Sequence, residues 1–114
     1  MDYAVLNMNE LPYDSNSHEL EGYQYGGVNI SLIFVDMPPG DGPRLHLHPY
    51  AEVFIVHEGQ ATYTVGSATV EVHAGQIVIA PPGVPHKFIN SGTGRLRQTD
   101  IHVNKEFVTE WLED

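Results

Sequence analysis

The stretch RLHLHPYAE, residues 44–52, sets His46 and His48 one residue apart and Glu52 four positions further on, in a chain with only seven histidines. Alternate side chains of an extended strand share a face, so His46 and His48 project together, with Arg44 beside them. Leu45 and Leu47 turn the other way, expected into the core. Pro49 and Tyr50 interrupt the strand, and Tyr50 reads as shaping that turn. Glu52 then opens an apolar run in which it shares a face with Phe54 and Val56, opposite Val53, Ile55 and His57. A carboxylate in that place is costly unless it is paired or bound to a metal. A fourth candidate, His86, follows PPGVP (81–85), whose prolines and glycine fix a rigid turn that aims the next strand. Three imidazoles and a carboxylate form a mixed nitrogen and oxygen set suited to Mn, Fe, Ni, Co, Cu or Zn. In an octahedral geometry two positions would stay open, which is a catalytic arrangement. The bland alternative is a polar network satisfied by hydrogen bonds without metal.

The elements that must position these groups are short and β-rich. From Gly27 onward, runs of β-formers alternate with glycine, proline and asparagine. The expected strands are 28–37, 44–48, 52–58, 61–66, 68–73, 76–80, 86–90 and 96–103, and eight strands with tight turns suit a closed sandwich or barrel. Residues 1–26 read as an N-terminal arm, mostly loop, with AVLNM (4–8) as a candidate edge strand. In NKEFVTEWLED (104–114), Phe107, Val108, Trp111 and Leu112 stand at helical spacing after Asn104, and the tail is expected to be a short helix. His57 and His73 fall near turns and are expected to face solvent. His102 shares a face with Gln98 and Asp100, which places it as a candidate cavity-lining, substrate-binding residue. Gly59, Gly75 and Gly83 read as turn glycines.

A length of 114 residues fits one domain. Without cysteine there is no disulfide framework, thiolate metal site or cysteine nucleophile. MDYAVLNMNE shows neither the basic segment nor the apolar run of a secretory signal, and no stretch approaches the roughly 18 apolar residues of a membrane span. The expectation is a soluble, cytoplasmic protein. Fifteen acidic residues oppose five basic ones, none of them before Arg44. Such a surface repels phosphate backbones and anionic lipid, so neither nucleic acid nor membrane is expected as a partner.

The spacing carries more than the cluster. GDGPRLHLHPYAEVFIVHEG (40–59) reads as Gly, five residues, His, one, His, three, Glu, six, Gly; GQIVIAPPGVPHKFIN (75–90) reads as Gly, five residues, Pro, one, Gly, two, His, three, Asn. At every specified position this resembles the two motifs of the cupin superfamily, and DIHVNKEFVTEWLED resembles the ending of its small single-domain members. The resemblance implies an all-β fold, a conical antiparallel β-barrel or double-stranded β-helix (jelly roll) over 27–103 with a short C-terminal helix over 104–114. It also implies a divalent transition metal held by His46, His48, Glu52 and His86. Proteins with this ligand set include dioxygenases, isomerases and lyases.

The first functional expectation is therefore a metalloenzyme acting on a small polar or carboxylate-bearing substrate, with Glu52 catalytic and Arg44 gripping a carboxylate bidentately. The second is a non-catalytic module that binds a small sugar or carboxylate, and a structural or storage role is disfavoured by an intact ligand set. Fold does not choose between them. A homodimer is expected, with the N-terminal strand and C-terminal helix available for pairing.

Overall fold

A computed structural model describes residues 3–114. The strands are Tyr13–Asp14 (β1), Ser17–Glu21 (β2), Ser31–Met37 (β3), His46–Leu47 (β4), Glu52–Glu58 (β5), Gln60–Val65 (β6), Ala68–His73 (β7), Ile77–Ala80 (β8), His86–Asn90 (β9), Leu96–His102 (β10) and Glu110–Trp111 (β11). They form a six-stranded sheet ordered β1-β2-β3-β10-β5-β8 and a five-stranded sheet ordered β11-β4-β9-β6-β7. Every pairing is antiparallel. The architecture is that of a double-stranded β-helix.

Two expectations are corrected. The sheets do not close into a barrel: among the described residues no ladder joins an edge of one sheet to an edge of the other. Between β3 and β4 lie Pro38, Pro39 and Pro43, and between β8 and β9 lie Pro81, Pro82 and Pro85. Proline has no N–H to donate, so neither connection can extend the ladder around a corner. The C-terminal helix is also absent. The tail runs extended, and Glu110 and Trp111 pair with Leu47 and His46. An extended tail covers the open edge of β4, and Val108 and Thr109 are β-branched and at ease there.

The eight expected strands all find a counterpart, whereas β1 and β2 arise within the arm read mostly as loop. AVLNM lies outside any strand, with only Met8 entering a 3-10 turn, Met8–Glu10. Ser15 and Asn16 form the β1–β2 hairpin turn with positive φ (48° and 67°), a backbone region that asparagine tolerates. This hairpin adds two strands to the sheet that carries Glu52.

The alternation around β4 holds, but its inner face is the polar one. His46 and His48 are buried while Leu45 and Leu47 are half-buried on the outside, so the leucines do not enter the core. The apolar core lies deeper between the sheets and includes Val35, Met37, Phe54, Val56, Tyr63, Phe88 and Leu96. Full burial of a side chain such as Phe54 stabilises by about 1.5–3 kcal/mol, and this floor supports the polar layer above it. Two rings of that floor, Phe54 and Phe88, meet edge to face at 6.1 Å, and Phe54 meets His86 likewise at 5.5 Å.

The turn glycines separate into two kinds. Gly59 has φ +91°, and a Cβ there would stand 2.4 Å from the Arg95 carbonyl oxygen; Gly75 has φ +89° with open space around it. Gly75→Ala should cost only the backbone strain, about 1–3 kcal/mol, while Gly59→Ala must also displace the β5–β10 backbone and should cost clearly more. Urea midpoints of the two variants check this, and equal losses would contradict the close approach.

Candidate metal centre

Register brings the four candidates together. On adjacent strands of the five-stranded sheet His46 stands opposite His86; on adjacent strands of the six-stranded sheet Glu52 stands opposite His102. His48 lies just past β4, where its carbonyl accepts the Gly83 N–H at 2.8 Å. This bond ties the loop before Glu52 to the turn before His86. Potential ligand atoms of His46, His48, Glu52 and His86 all lie within 4.8 Å of one another, and all four residues are buried. Glu52 Oε1 is 2.9 Å from His48 Nε2 and 3.1 Å from His86 Nε2.

The outer nitrogens decide what the inner ones can be. Nδ1 of His46 lies 2.6 Å from the Arg44 carbonyl, Nδ1 of His48 2.9 Å from that of Val108, and Nδ1 of His86 3.0 Å from that of Val84. A carbonyl only accepts, so each Nδ1 carries the hydrogen and donates it. In the neutral ring Nε2 is then a lone pair, and three such lone pairs converge on a carboxylate. His48 Nε2 shows the consequence: it is buried and without a hydrogen-bond partner, because its approach to Glu52 is close but not aligned for one. A set of inward lone pairs around a negative charge fits a cation, and backbone acceptors on the outer nitrogens are the usual support of metal-bound histidines. The donors suit a divalent transition metal such as Mn.

Without metal, the cluster compensates through protons. Burial pushes His46 down to about 4, outweighing the pull of the Arg44 carbonyl. Burial acts to lower His86 too, but hydrogen bonds to Glu52 and the Val84 carbonyl win and raise it. Burial acts to raise Glu52, yet the imidazoles of His102, His48 and His86 closing around its oxygens hold it well below the usual carboxylate range. The carboxylate is thus ionised and shares its charge among imidazoles.

His102 is buried, with Nε2 3.1 Å from Glu52 Oε2 and Nδ1 2.7 Å from the Tyr50 hydroxyl. The Glu52 carboxylate only accepts, so a neutral His102 turns its Nε2–H toward it, and the Tyr50 hydroxyl, which accepts the Val108 N–H at 3.1 Å, gives its own hydrogen to His102 Nδ1. Burial pushes the Tyr50 hydroxyl up to about 12, so it stays protonated. Below this layer, the Tyr63 hydroxyl donates to Gln98 and Gln98 donates to Asp100, both at 2.7 Å. Burial, and then the charge of Glu52, raise Asp100 well above the ordinary range.

The cluster opens into a cavity of about 700 Å³ between the sheets, lined among others by His46, His48, Glu52, His102, Arg44, Phe54 and Phe88. Arg44 is exposed at its rim, with its guanidinium 4.7 Å from the centre of the Trp111 ring. Another hollow of about 740 Å³, on the outer side between Leu6–Asn9 and Phe34, His57 and Arg97, has no comparable group of ligands. His57 and His73 are exposed, as expected. Tyr50 does more than shape a turn, and the contacts from Val108 come from a backbone that no residue type announces.

The model of the cupin domain family matches residues 33–102, and the chain belongs to that family. Over 74 residues it is 34% identical to an uncharacterized protein of Methanocaldococcus jannaschii, a match covering 64% of this chain and 59% of that one. The chain therefore spans less than two thirds of that relative's length. Among solved structures, oxalate decarboxylase of Bacillus subtilis superposes with a TM-score of 0.82 at 18% identity, over 94% of this chain and 31% of that one. A Klebsiella pneumoniae protein with a double-stranded β-helix domain gives 0.75 at 22% identity, over 99% and 100%. These likenesses establish the fold.

Removal of metal from loaded protein should lower the melting temperature by roughly 10 °C. Binding at 100 times the dissociation constant stabilises by about 2.7 kcal/mol, and each kcal/mol is worth about 4 °C at this size. An unchanged midpoint after verified removal would mark the cluster as a hydrogen-bonded network. Acid should weaken the metal-free protein too. An unfolded histidine takes its proton near pH 6.5 whereas His46 stays neutral to about 4, so the unfolded chain binds more protons in between and stability falls as pH falls through that window. Glu52 adds a loss of the same sign below pH 4.5.

Proposed function

We propose that the protein is a metal-dependent enzyme acting on a small carboxylate-bearing substrate within the cavity. The observation that carries this reading is that the ligand cluster faces a cavity of about 700 Å³ instead of being sealed by further protein ligands. A divalent ion held by His46, His48, Glu52 and His86 would supply Lewis-acid polarisation of a substrate oxygen. The Bacillus subtilis oxalate decarboxylase has Mn(II) centres, which supports Mn as the first metal to try.

The chain's own residues supply the rest. Arg44 at the rim offers a guanidinium to a substrate carboxylate. Glu52, ionised and buried, is the group to accept or hand on a proton at the reacting atoms. His102 lines the cavity, but both of its nitrogens are engaged, so its part is to hold Glu52 in place. Phe54 and Phe88 keep the floor apolar and exclude water. Asp14, Glu19 and Asp41 also line the cavity, and their charges favour a monocarboxylate over a dianion.

Glu52→Gln should retain metal more weakly and lose turnover. Arg44→Ala should keep its metal and lose substrate affinity by about tenfold or more, the 1.5–3 kcal/mol of a charge-assisted contact. Metal analysis and steady-state kinetics on a panel of keto, hydroxy and aromatic monocarboxylates check both. Saturable binding without turnover across the panel would instead favour the non-catalytic module. Unchanged affinity in Arg44→Ala would leave that residue at the rim with Trp111.

The reading extends to a homodimer in the cytoplasm. Two registered rows cross the outer face of the six-stranded sheet: Leu20–Leu32–Ile101–Val53–Ile79 and His18–Phe34–Thr99–Ile55–Ile77. Ile77 and Ile79 are 61% and 62% exposed. Of the acids flanking these rows, Asp36 is paired with Arg95 and Arg97, and Glu58 stands opposite Arg97 in the β5–β10 ladder. A second copy, itself strongly acidic, could approach here without opposing charge. Five strands at about 4.8 Å spacing give a face of the order needed, together with the N-terminal arm, for the roughly 800 Å² per partner of a stable interface. Light scattering should give twice the chain's 12.7 kDa, and Ile77→Lys with Ile79→Lys should give the monomer. A wild-type monomer at micromolar concentration would remove the dimer.

A further inference from the structure

We propose that the C-terminal strap, residues 107–113, is a working part of the metal centre, so that strap docking and metal binding stabilise each other. The proposal rests on the metal reading of the cluster and goes beyond it. Its core is one residue, Val108, whose backbone serves two ligands at once. The Val108 carbonyl accepts the His48 Nδ1–H at 2.9 Å, which leaves the His48 Nε2 lone pair facing the cluster. The Val108 N–H donates to the Tyr50 hydroxyl at 3.1 Å, that hydroxyl donates to His102 at 2.7 Å, and His102 turns its Nε2 to Glu52 Oε2 at 3.1 Å. The tautomer of one ligand and the orientation of another are set by one stretch of backbone 60 and 56 positions away in the chain, respectively.

The strap adds direct contacts of its own. Phe107 meets the His102 ring edge to face at 4.9 Å, and the Trp111 ring lies 4.9 Å from that of His46. Thr109 Oγ1 is 3.3 Å from His48 Nδ1, a second and weaker partner on the same side. Yet the strap is held lightly. Val108 and Trp111 are 41% and 51% exposed. The clamps are Leu112 N–H to the Leu45 carbonyl, Leu45 N–H to Glu113, Lys87 Nζ to Glu113, and Phe107 N–H to Glu21. Segments with few buried apolar contacts open locally at small free-energy cost. When this strap opens, His48 loses the acceptor that fixes its tautomer and Tyr50 loses the donor that orients it. Coupling between two events is reciprocal, so a cation that needs the aligned ligands must favour the docked strap.

The test uses Zn(II), which is diamagnetic, with the intact chain, a chain ending at Glu106, and Tyr50→Phe. Loss of groups that support metal ligands typically weakens metal binding about 10–100-fold. The chain ending at Glu106 should bind Zn(II) at least tenfold more weakly than the intact one, and Tyr50→Phe should bind it several-fold more weakly. Zn(II) should also slow exchange of the Val108 and Leu112 amides of the intact chain by a larger factor than the amides of the β6–β7 hairpin. Folded truncated chain that binds Zn(II) within twofold of the intact one overturns the proposal. If truncation prevents folding, unchanged Zn(II) affinity in Tyr50→Phe together with unresponsive strap amides overturns it instead. No Zn(II) binding by the intact chain defeats the metal reading itself, and that is seen before any variant is made.

Discussion

The structure turns on a buried carboxylate. Glu52 is 2% exposed, and an ionised group so far from water must be compensated by charge or hydrogen bonds. Here three imidazoles from two segments converge on it and a fourth, His102, faces its second oxygen at 3.1 Å. Much of the architecture can be read as the means of that convergence. The two sheets carry ligands on facing inner surfaces, the proline-rich turn aims His86, and backbone carbonyls set the outer nitrogens of His46, His48 and His86. In the metal-free protein the balance is met by sharing protons; with a cation it is met by coordination.

The layers beneath and around this centre have distinct parts. The apolar floor of Phe54, Phe88, Val56 and Leu96 fills the interior and leaves the polar layer only one way to face, toward the cavity. In the Tyr63–Gln98–Asp100 chain, burial and then the charge of Glu52 shift Asp100 upward, which disfavours a second ionised carboxylate beside Glu52. At the rim, Arg44 rests on Trp111 among several acidic neighbours.

Much of this was legible in the amino-acid order. Period-two alternation grouped His46 with His48 on one face, Glu52 with Phe54 and Val56, and His102 with Gln98 and Asp100, and motif spacing singled out the four clustered groups and the family. Alternation alone does not say which face is interior, and reading the leucines of RLHLH as core put the usual apolar rule ahead of a polar cavity. Helical spacing in the tail failed for a related reason. Four apolar residues in an eleven-residue segment fit two periods, and the open edge of β4 together with the His48 hydrogen bond selected the extended one. Those are tertiary demands. The β1–β2 hairpin carries little apolar signal because its inward residues Ser17, Glu19 and Glu21 are polar. Closure into a barrel was overestimated because strand count does not reveal where ladders stop, although the prolines that stop them are plain in the sequence.

The central claim is that the three inward Nε2 atoms and the Glu52 carboxylate are ligands to one metal ion. X-ray absorption of protein loaded with one equivalent of Zn(II) tests it most directly. The account predicts three imidazole nitrogens at about 2.0–2.1 Å and a carboxylate oxygen at about 2.0–2.2 Å, with one nitrogen lost in His86→Ala. A Zn(II) shell dominated by water oxygens, or one left unaltered by His86→Ala, would contradict it.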